Sequence, residues 1–582
     1  VASARWLLKP DSGPVVEEIA EKFGVSRILA AIIAQRVSPL SMDNVATFLK
    51  PTLNTLVSPW RMDDMDKAAS RLAEAIQSRR RIVVYGDYDT DGVTACALLI
   101  RACRAAGYSL GYRLPSRFEE GYGISADFAQ KAVADKIDLV ITVDCGTSEH
   151  DNIRLMSENG IEVIVTDHHE PGDRELPPEA YAILNPKRQD SSYPFRELTG
   201  VGVAFKLAWA LYEKLSGSSK VEPHLREALL SLLPLAAIGT IADVAPLVDE
   251  NRTIVARGLK AMHSACPGIS ALLEICRLGA GDLTARSVAF SLSPRLNAAG
   301  RMGNADLSLE LLVEDDPVNA RRLAEILDRQ NTERQTLCQT ILDQAEDEAE
   351  KTHDLANDAA ILVARTGWHE GVIGIVAGRL SEIFGKPAAV ISFPTGQDRG
   401  RGSARSITGL NLYQVMSNSR KHLLTFGGHE LAAGFTVERS EVEGLRQSFF
   451  RECAAQIRRN NIAPTIHIDA EVRLSDINIR LVEEMEMLLP FGQGNPEPKF
   501  LVRGVKVAGN VHLMGPKRQH FYFNVAEGGM AYRAVVFNNR SLIPILDGAA
   551  RRPVDIIFTP ALNTFYSSPR LELRVDDIKL NG

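Results

Sequence analysis

The chain has 582 residues, more than one hydrophobic core can serve, and length alone sets an expectation of about three or four domains. With 45% hydrophobic and 24% charged residues it has the make-up of a soluble globular protein, which excludes collagenous, mucin-like and prion-like classes. A net charge of −7 does not by itself announce a nucleic-acid binder.

The first stretch, residues 1–60, mixes helical periodicity (Val15 to Arg36) with Pro39, Pro51 and Pro59 and is expected to be a small helical segment. Val1 to Pro10 lacks the charged-then-apolar layout of a signal peptide, and no apolar run approaches the roughly 20 residues of a membrane helix. Seven scattered cysteines without a Cys-x-x-Cys pair point to neither a disulfide framework nor a zinc knuckle, so a cytoplasmic, reducing location is expected.

Residues 61–315 alternate helix-compatible stretches with the apolar runs Ile82–Tyr85, Leu139–Val143 and Val163–Thr166. Such alternation implies an α/β fold with a parallel sheet. Residues 316–355, dense in Arg, Glu, Gln, Leu and Asp, read as a long connecting helix, either a spacer between lobes or a solvated helix. A second, smaller α/β lobe is expected over 356–462, with strands Ile361–Ala364 and Ala388–Ser392. Over 463–582 period-two alternation (Phe500–Val507, His520–Val525, Arg570–Val575) suggests a small barrel of the OB type. From Leu501 onward eleven Lys and Arg stand against six Asp and Glu, a basic module on an acidic body that suits a polyanionic ligand.

The chemistry begins where the first strand runs into Asp87, Asp89 and Asp91 at alternate positions. Extended backbone would set all three carboxylates on one side, an arrangement that repulsion opposes unless a cation neutralises it. Alone, the motif leaves a solvated Asp-rich turn capping a helix as the lesser alternative. Two further strands end in Asp144-Cys145-Gly146 and Asp167-His168-His169, and an apolar helix ends in Asp243. Ligands bind at the carboxyl ends of strands in open parallel sheets. Carboxylates with an imidazole suit Mn²⁺ or Mg²⁺, and so many acids would serve two divalent ions.

These four segments resemble the signature motifs of the DHH phosphoesterases. The resemblance continues through Ser293–Met302, then Gly367–Ala377, Arg401–Ser406 and Phe426–His429, which match the associated DHHA1-type lobe. Pro490–Pro496 is similar to the entry of the extra barrel in the family's single-strand-specific exonucleases. The resemblance implies that Asp89, Asp91, Asp144, His168 and Asp243 hold the metals, with Asp144 as the bridge. Where pyrophosphate- and oligonucleotide-specific members have a histidine this chain has Tyr85, so Asp87 is a substitute ligand. His169 is expected beside the metals or on a phosphate, and Asp167 orients a histidine or caps the turn.

Ser403 and Arg405 would bind a terminal 5′ phosphate by the same resemblance, with Gly402, Gly427 and Gly428 allowing close backbone approach and His429 nearby. Arg117, Arg295 and Arg301 are candidate phosphate clamps, or else salt bridges supporting the site. Trp368, Tyr122, Phe521–Phe523 and Phe565–Tyr566 could stack bases, although strand aromatics are more often core. The implied activity is two-metal hydrolysis by a 5′→3′ exonuclease specific for single-stranded DNA, serving repair and recombination. A single-strand-binding protein and a helicase are implied partners of a monomer without membrane attachment. The rivals are an oligoribonuclease or cyclic-dinucleotide phosphodiesterase of the same family, and a non-catalytic replication scaffold.

Overall fold

The structure is a computed structural model that describes residues 4–10, 13–172, 175–548, 552–563 and 568–581. Its first lobe is built on a five-stranded, wholly parallel sheet. The strand order is Gly111–Arg113, Ile82–Gly86, Leu139–Val143, Glu162–Thr166, Ala182–Leu184. The three central strands are nearly continuous Val, Ile and Leu because helices cover both faces. Helix Thr90–Ala105 packs on helices Gly200–Leu215 and Leu233–Ala242 in the largest core. The stretch Pro223–Ala242 has the length and composition of a membrane-crossing helix, by those two measures alone. It is two consecutive helices, and the second is buried in this core.

Residues 53–61 are fastened to the first lobe by a fully buried ion pair, Lys206 with Glu250. Lys206 Nζ also donates to Val57 O (2.6 Å), and Glu250 accepts from Val57 N (2.8 Å). Each charge thus satisfies backbone as well as its partner.

Helix Pro317–Thr352 spans 36 residues, about 54 Å at 1.5 Å per residue. It is not merely an exposed spacer. Ala320, Leu323, Ala324 and Leu327 enter the core of the first lobe, while Ile341, Ala345 and Ala349 enter that of the second.

The second lobe is the smaller α/β unit, and its sheet is mixed. Its strand order is Thr425–Gly428, Ala432–Glu438, Arg399–Arg405, Ala388–Phe393, Ile361–Thr366, and only the last pair is parallel. The glycine-bearing segments Arg399–Arg405 and Thr425–Gly428 are strands. A Cβ on Gly402 would sit 2.1 Å from the Phe435 ring, so this glycine makes room for an aromatic side chain and not for a phosphate.

The C-terminal module is a closed five-stranded barrel of strands Phe500–Met514, His520–Glu527, Met530–Val536, Arg570–Leu580 and Val554–Asn563. All its pairings are antiparallel except Met530–Val536 with Arg570–Leu580. Helices Pro14–Phe23 and Arg27–Arg36 contribute Val16, Ile19, Leu29, Ile32 and Ile33 to the core that Phe500, Phe521, Phe523 and Phe558 fill in the barrel. Strand Arg5–Leu8 pairs in parallel with Thr465–Ile468. The two ends of the chain therefore pack together.

Candidate metal centre and substrate cleft

Strand Ile82–Gly86 delivers Asp87 to the carboxyl edge of the first sheet, and the chain turns at once into helix Thr90–Ala105. Asp89 is the N-cap: one oxygen accepts from Asp91 N (2.9 Å) and Gly92 N (3.1 Å). Asp91 is buried and accepts from Gly200 N (2.7 Å) and Val201 N (3.0 Å). Those amides open helix Gly200–Leu215, whose positive end faces the carboxylate. A Cβ on Gly200 would lie 2.6 Å from the Asp144 side chain, so glycine is needed there. The pair Gly200 and Val201 went unrecognised in the sequence; Thr199 as N-cap before Gly-Val-Gly is its only local signal.

Asp144 ends strand Leu139–Val143 at φ 60°, in the left-handed region. His168 Nε2 lies 3.0 Å from its Oδ1, and His168 also stands 3.8 Å from Asp91 and 3.9 Å from Asp243. Three groups of ligand atoms result, each within 4.8 Å: Asp87, Asp89 and Asp144; Asp91, His168 and Asp243; Asp144, His168 and His169. Asp144 belongs to two of them.

Electrostatics show the strain of this crowding. Burial and the neighbouring carboxylates, Asp91 first, push Asp144 far above the usual carboxylate range. Burial and then Asp243 do the same to Asp91. Asp87 rises to about 8 through burial and Asp89, and Asp243 to about 7 for the same two reasons. His168 falls to about 3 through burial and the charge of His169, leaving a neutral imidazole. Asp87 Oδ1, Asp144 Oδ1 and His168 Nε2 are buried and complete no hydrogen bond. Hard oxygen donors, one neutral imidazole and unsatisfied buried atoms aimed at a common centre fit divalent Mn²⁺ or Mg²⁺.

Tyr85 turns away from this cluster. Its ring packs on Phe128 in a separate apolar core and its hydroxyl donates to Gly123 O (2.9 Å), whereas Asp87 joins the ligand groups. Asp167 accepts from the amides of Thr147, His168 and His169 and from His169 Nδ1 (2.8 Å). Burial opposes the charge, but these bonds hold its carboxyl below the usual range. Burial likewise opposes a charged His169, yet Asp167 lifts it to about 9 and keeps it cationic. Tyr122, expected only as a possible base-stacker, places its hydroxyl 3.0 Å from His169 Nδ1.

The second lobe brings Ser403, Arg405 and His429 to the same cleft. Arg405 Nη1 donates to Ser403 Oγ (2.9 Å), and Gly374 lies against both side chains. Burial and then Arg117 lower the Arg405 guanidinium. His429 is lowered by burial, by Arg405 and by His169, so charges from both lobes meet at its ring. Arg301 falls to about 9 through burial and through Arg117, Arg334 and Arg405. Arg334, on the connecting helix, was not anticipated. Arg117 lies over the Tyr88 ring at 4.2 Å.

Arg295 is a correction. Instead of facing the cleft, its guanidinium donates to Asp328 Oδ1 (2.8 Å) and Ser291 O (2.7 Å), tying its helix to the connecting helix. Trp368 is also structural, buried with Nε1 donating to Gln344 (2.9 Å), and Phe521 and Phe523 are barrel core. Phe565 and Tyr566 lie outside the described residues. Next to Asp243 opens a cavity of about 740 Å³ between the lobes, lined by Val244, Phe290, Asn297, Arg301, Arg334 and Arg379 among others. Val244 and Phe290 are strongly exposed.

Residues 81–238 match the DHH family N-terminal domain, 358–455 the DHHA1 domain and 468–577 the RecJ OB domain. The single-stranded-DNA-specific exonuclease RecJ of Bacillus subtilis is 33% identical over 574 residues, 98% of this chain and 70% of its own. That of Haemophilus influenzae is 33% identical over 545 residues, 91% of this chain and 93% of its own. The crystal structure of Thermus thermophilus RecJ with Mn²⁺ superposes with a TM-score of 0.82 at 29% identity, covering 99% of this chain and 79% of that one. The Mg²⁺ complex gives 0.76 at 28%, covering 99% and 78%. The chain belongs to the RecJ family of single-stranded-DNA-specific exonucleases, within the DHH phosphoesterases.

Proposed function

We propose that the chain is a 5′→3′ exonuclease that hydrolyses single-stranded DNA to 5′ mononucleotides with two divalent ions, Mn²⁺ or Mg²⁺. The observation that carries this reading is Asp144, which forms one ligand group with Asp87 and Asp89 and lies 3.0 Å from His168 of a second, with Arg405 and Ser403 of the other lobe on the same cleft. Asp87, Asp89 and Asp144 would hold one ion, and Asp91, His168 and Asp243 the other, with Asp144 between them. When bound, the ions supply positive charge to the phosphoryl oxygens and acidify the attacking water.

The chain's own residues do the rest. Arg405 and Ser403 would seat the 5′ phosphate, which fixes one nucleotide between the seat and the metal centre and so sets direction and product length. His169 offers an N–H donor to the scissile phosphate as its charge grows, with Asp167 holding the His169 imidazolium in place. The cavity beside Asp243, with Arg301, Arg334 and Arg379 for phosphates and Phe290 for a base, would lead the remaining strand away. Enclosure of the cleft between two lobes and the connecting helix favours a single strand over a duplex.

The same reading places the protein in the cytoplasm, in DNA repair and recombination, acting as a monomer without membrane attachment, on ends that a helicase exposes and a single-strand-binding protein coats. Offering single-stranded, duplex and dinucleotide substrates side by side tests the substrate class. Preferential digestion of long single strands is expected; dinucleotide cleavage with long strands spared would favour the oligonucleotide-degrading rival, and binding without cleavage the scaffold.

A further inference from the structure

Residues 114–125 leave strand Gly111–Arg113 as a loop that reaches both lobes. One carboxylate closes it on itself: Glu120 accepts from Arg113 Nη2 (2.6 Å), Ser116 N (2.9 Å) and Ser125 Oγ (2.6 Å). Gly121 and Gly123 return the chain at positive φ. The loop is thereby tied into one unit, with Arg117 on one flank and Tyr122, bonded to His169, on the other.

Its centre is held by the second lobe. Arg401 Nη2 donates to Phe118 O (3.2 Å) while its other nitrogen pairs with Glu370 (3.4 Å). The Phe118 ring meets His369 edge-on at 5.8 Å, and His369 caps the helix whose Gly371 O accepts from Arg301 (3.2 Å). Arg401, Ser403 and Arg405 alternate along one strand and share a face. The strand proposed to seat the terminal phosphate thus also grips the loop that brings Arg117. Arg117 and Arg405 are like charges close enough that, after burial, Arg117 lowers the Arg405 guanidinium, a repulsion that a doubly charged terminal phosphate relieves and a 5′ hydroxyl does not.

We propose that Arg401 and Phe118 form a clasp that docks the Arg117 loop on strand Arg399–Arg405, and that these positioning residues set the preference for a 5′-phosphorylated strand end. The inference rests on Ser403 and Arg405 being that phosphate's seat. Arg401 is 51% exposed on its side chain, so Arg401→Ala disturbs no core.

Binding of a 5′-phosphorylated and a 5′-hydroxyl 12-mer is measured by fluorescence anisotropy in EDTA, and single-turnover cleavage of both with Mn²⁺. Wild type is expected to favour the phosphorylated end. Arg401→Ala and Phe118→Ala should each reduce that preference about tenfold, the scale of one bond to a charged group. In an Arg117→Ala background the further loss should vanish, because the clasp acts through Arg117. A wild type that treats both ends alike overturns the phosphate seat and the clasp with it. Wild-type discrimination that survives in both clasp variants, or an Arg401→Ala effect undiminished without Arg117, overturns the clasp alone.

Discussion

Asp144 Oδ1 and His168 Nε2 lie 3.0 Å apart, both buried, and neither completes a hydrogen bond. With the His168 proton on Nδ1, the Nε2 nitrogen and the carboxylate oxygen present lone pairs to each other, and a single cation held by both satisfies the contact. Mn²⁺ titration calorimetry should find two ions per chain. Asp144→Asn should leave at most one, with activity reduced at least about a hundredfold, as expected when a ligand rather than its supporting shell is lost. Two tightly held ions in that variant would remove Asp144 from the bridge.

Removing the ions should make stability depend on pH in a particular direction. Asp87 and Asp243, at about 8 and about 7 in the folded chain, stand well above the usual carboxylate value of 3.8. Between those limits the folded state binds more protons than the unfolded state, so metal-free stability falls as pH rises from about 4 to 8. The thermal midpoint in EDTA should drop from pH 5 to pH 8, and Mn²⁺ should restore it most at pH 8. A flat profile in EDTA would contradict the crowded-carboxylate picture.

Glu250→Gln should test architecture apart from chemistry. It leaves Lys206 buried and uncompensated, at a cost of about 3–5 kcal/mol. Chemical denaturation should show the loss, while Mn²⁺ stoichiometry stays at the wild-type value.

Phe290→Ala and Arg334→Gln should weaken binding of a 12-mer in EDTA several-fold, stacking being worth about 1–3 kcal/mol per base. Cleavage of a 5′-phosphorylated dinucleotide should change little, because it does not reach past Asp243. Equal losses on both lengths would place these residues at the reacting phosphate instead of along the exit groove.

The carboxylate cluster was legible because the buried parallel strands are written as nearly continuous Val, Ile and Leu, and an acid follows each such run. The edge strands Gly111–Arg113 and Ala182–Leu184 have three residues each, too short to show a period. Strand Arg399–Arg405 carries little local signal because glycine is a poor strand former; tertiary packing decides there, with the Phe393 and Phe435 rings filling the space above Gly400 and Gly402. The pairing of Arg5–Leu8 with Thr465–Ile468 joins segments about 460 residues apart, and no local signal marks it. Arginine roles were the least readable. Arg295 and Arg301 lie six positions apart around helix Ser293–Met302, yet one faces Asp328 and the other the cleft.

Single-stranded DNA labelled separately at each end, incubated with Mn²⁺ beside an Asp144→Ala control, tests the central claim most directly. The 5′ label should be released early as a mononucleotide and the 3′ label late, with neither released by the control. Early release of the 3′ label, or full activity of Asp144→Ala, would contradict it.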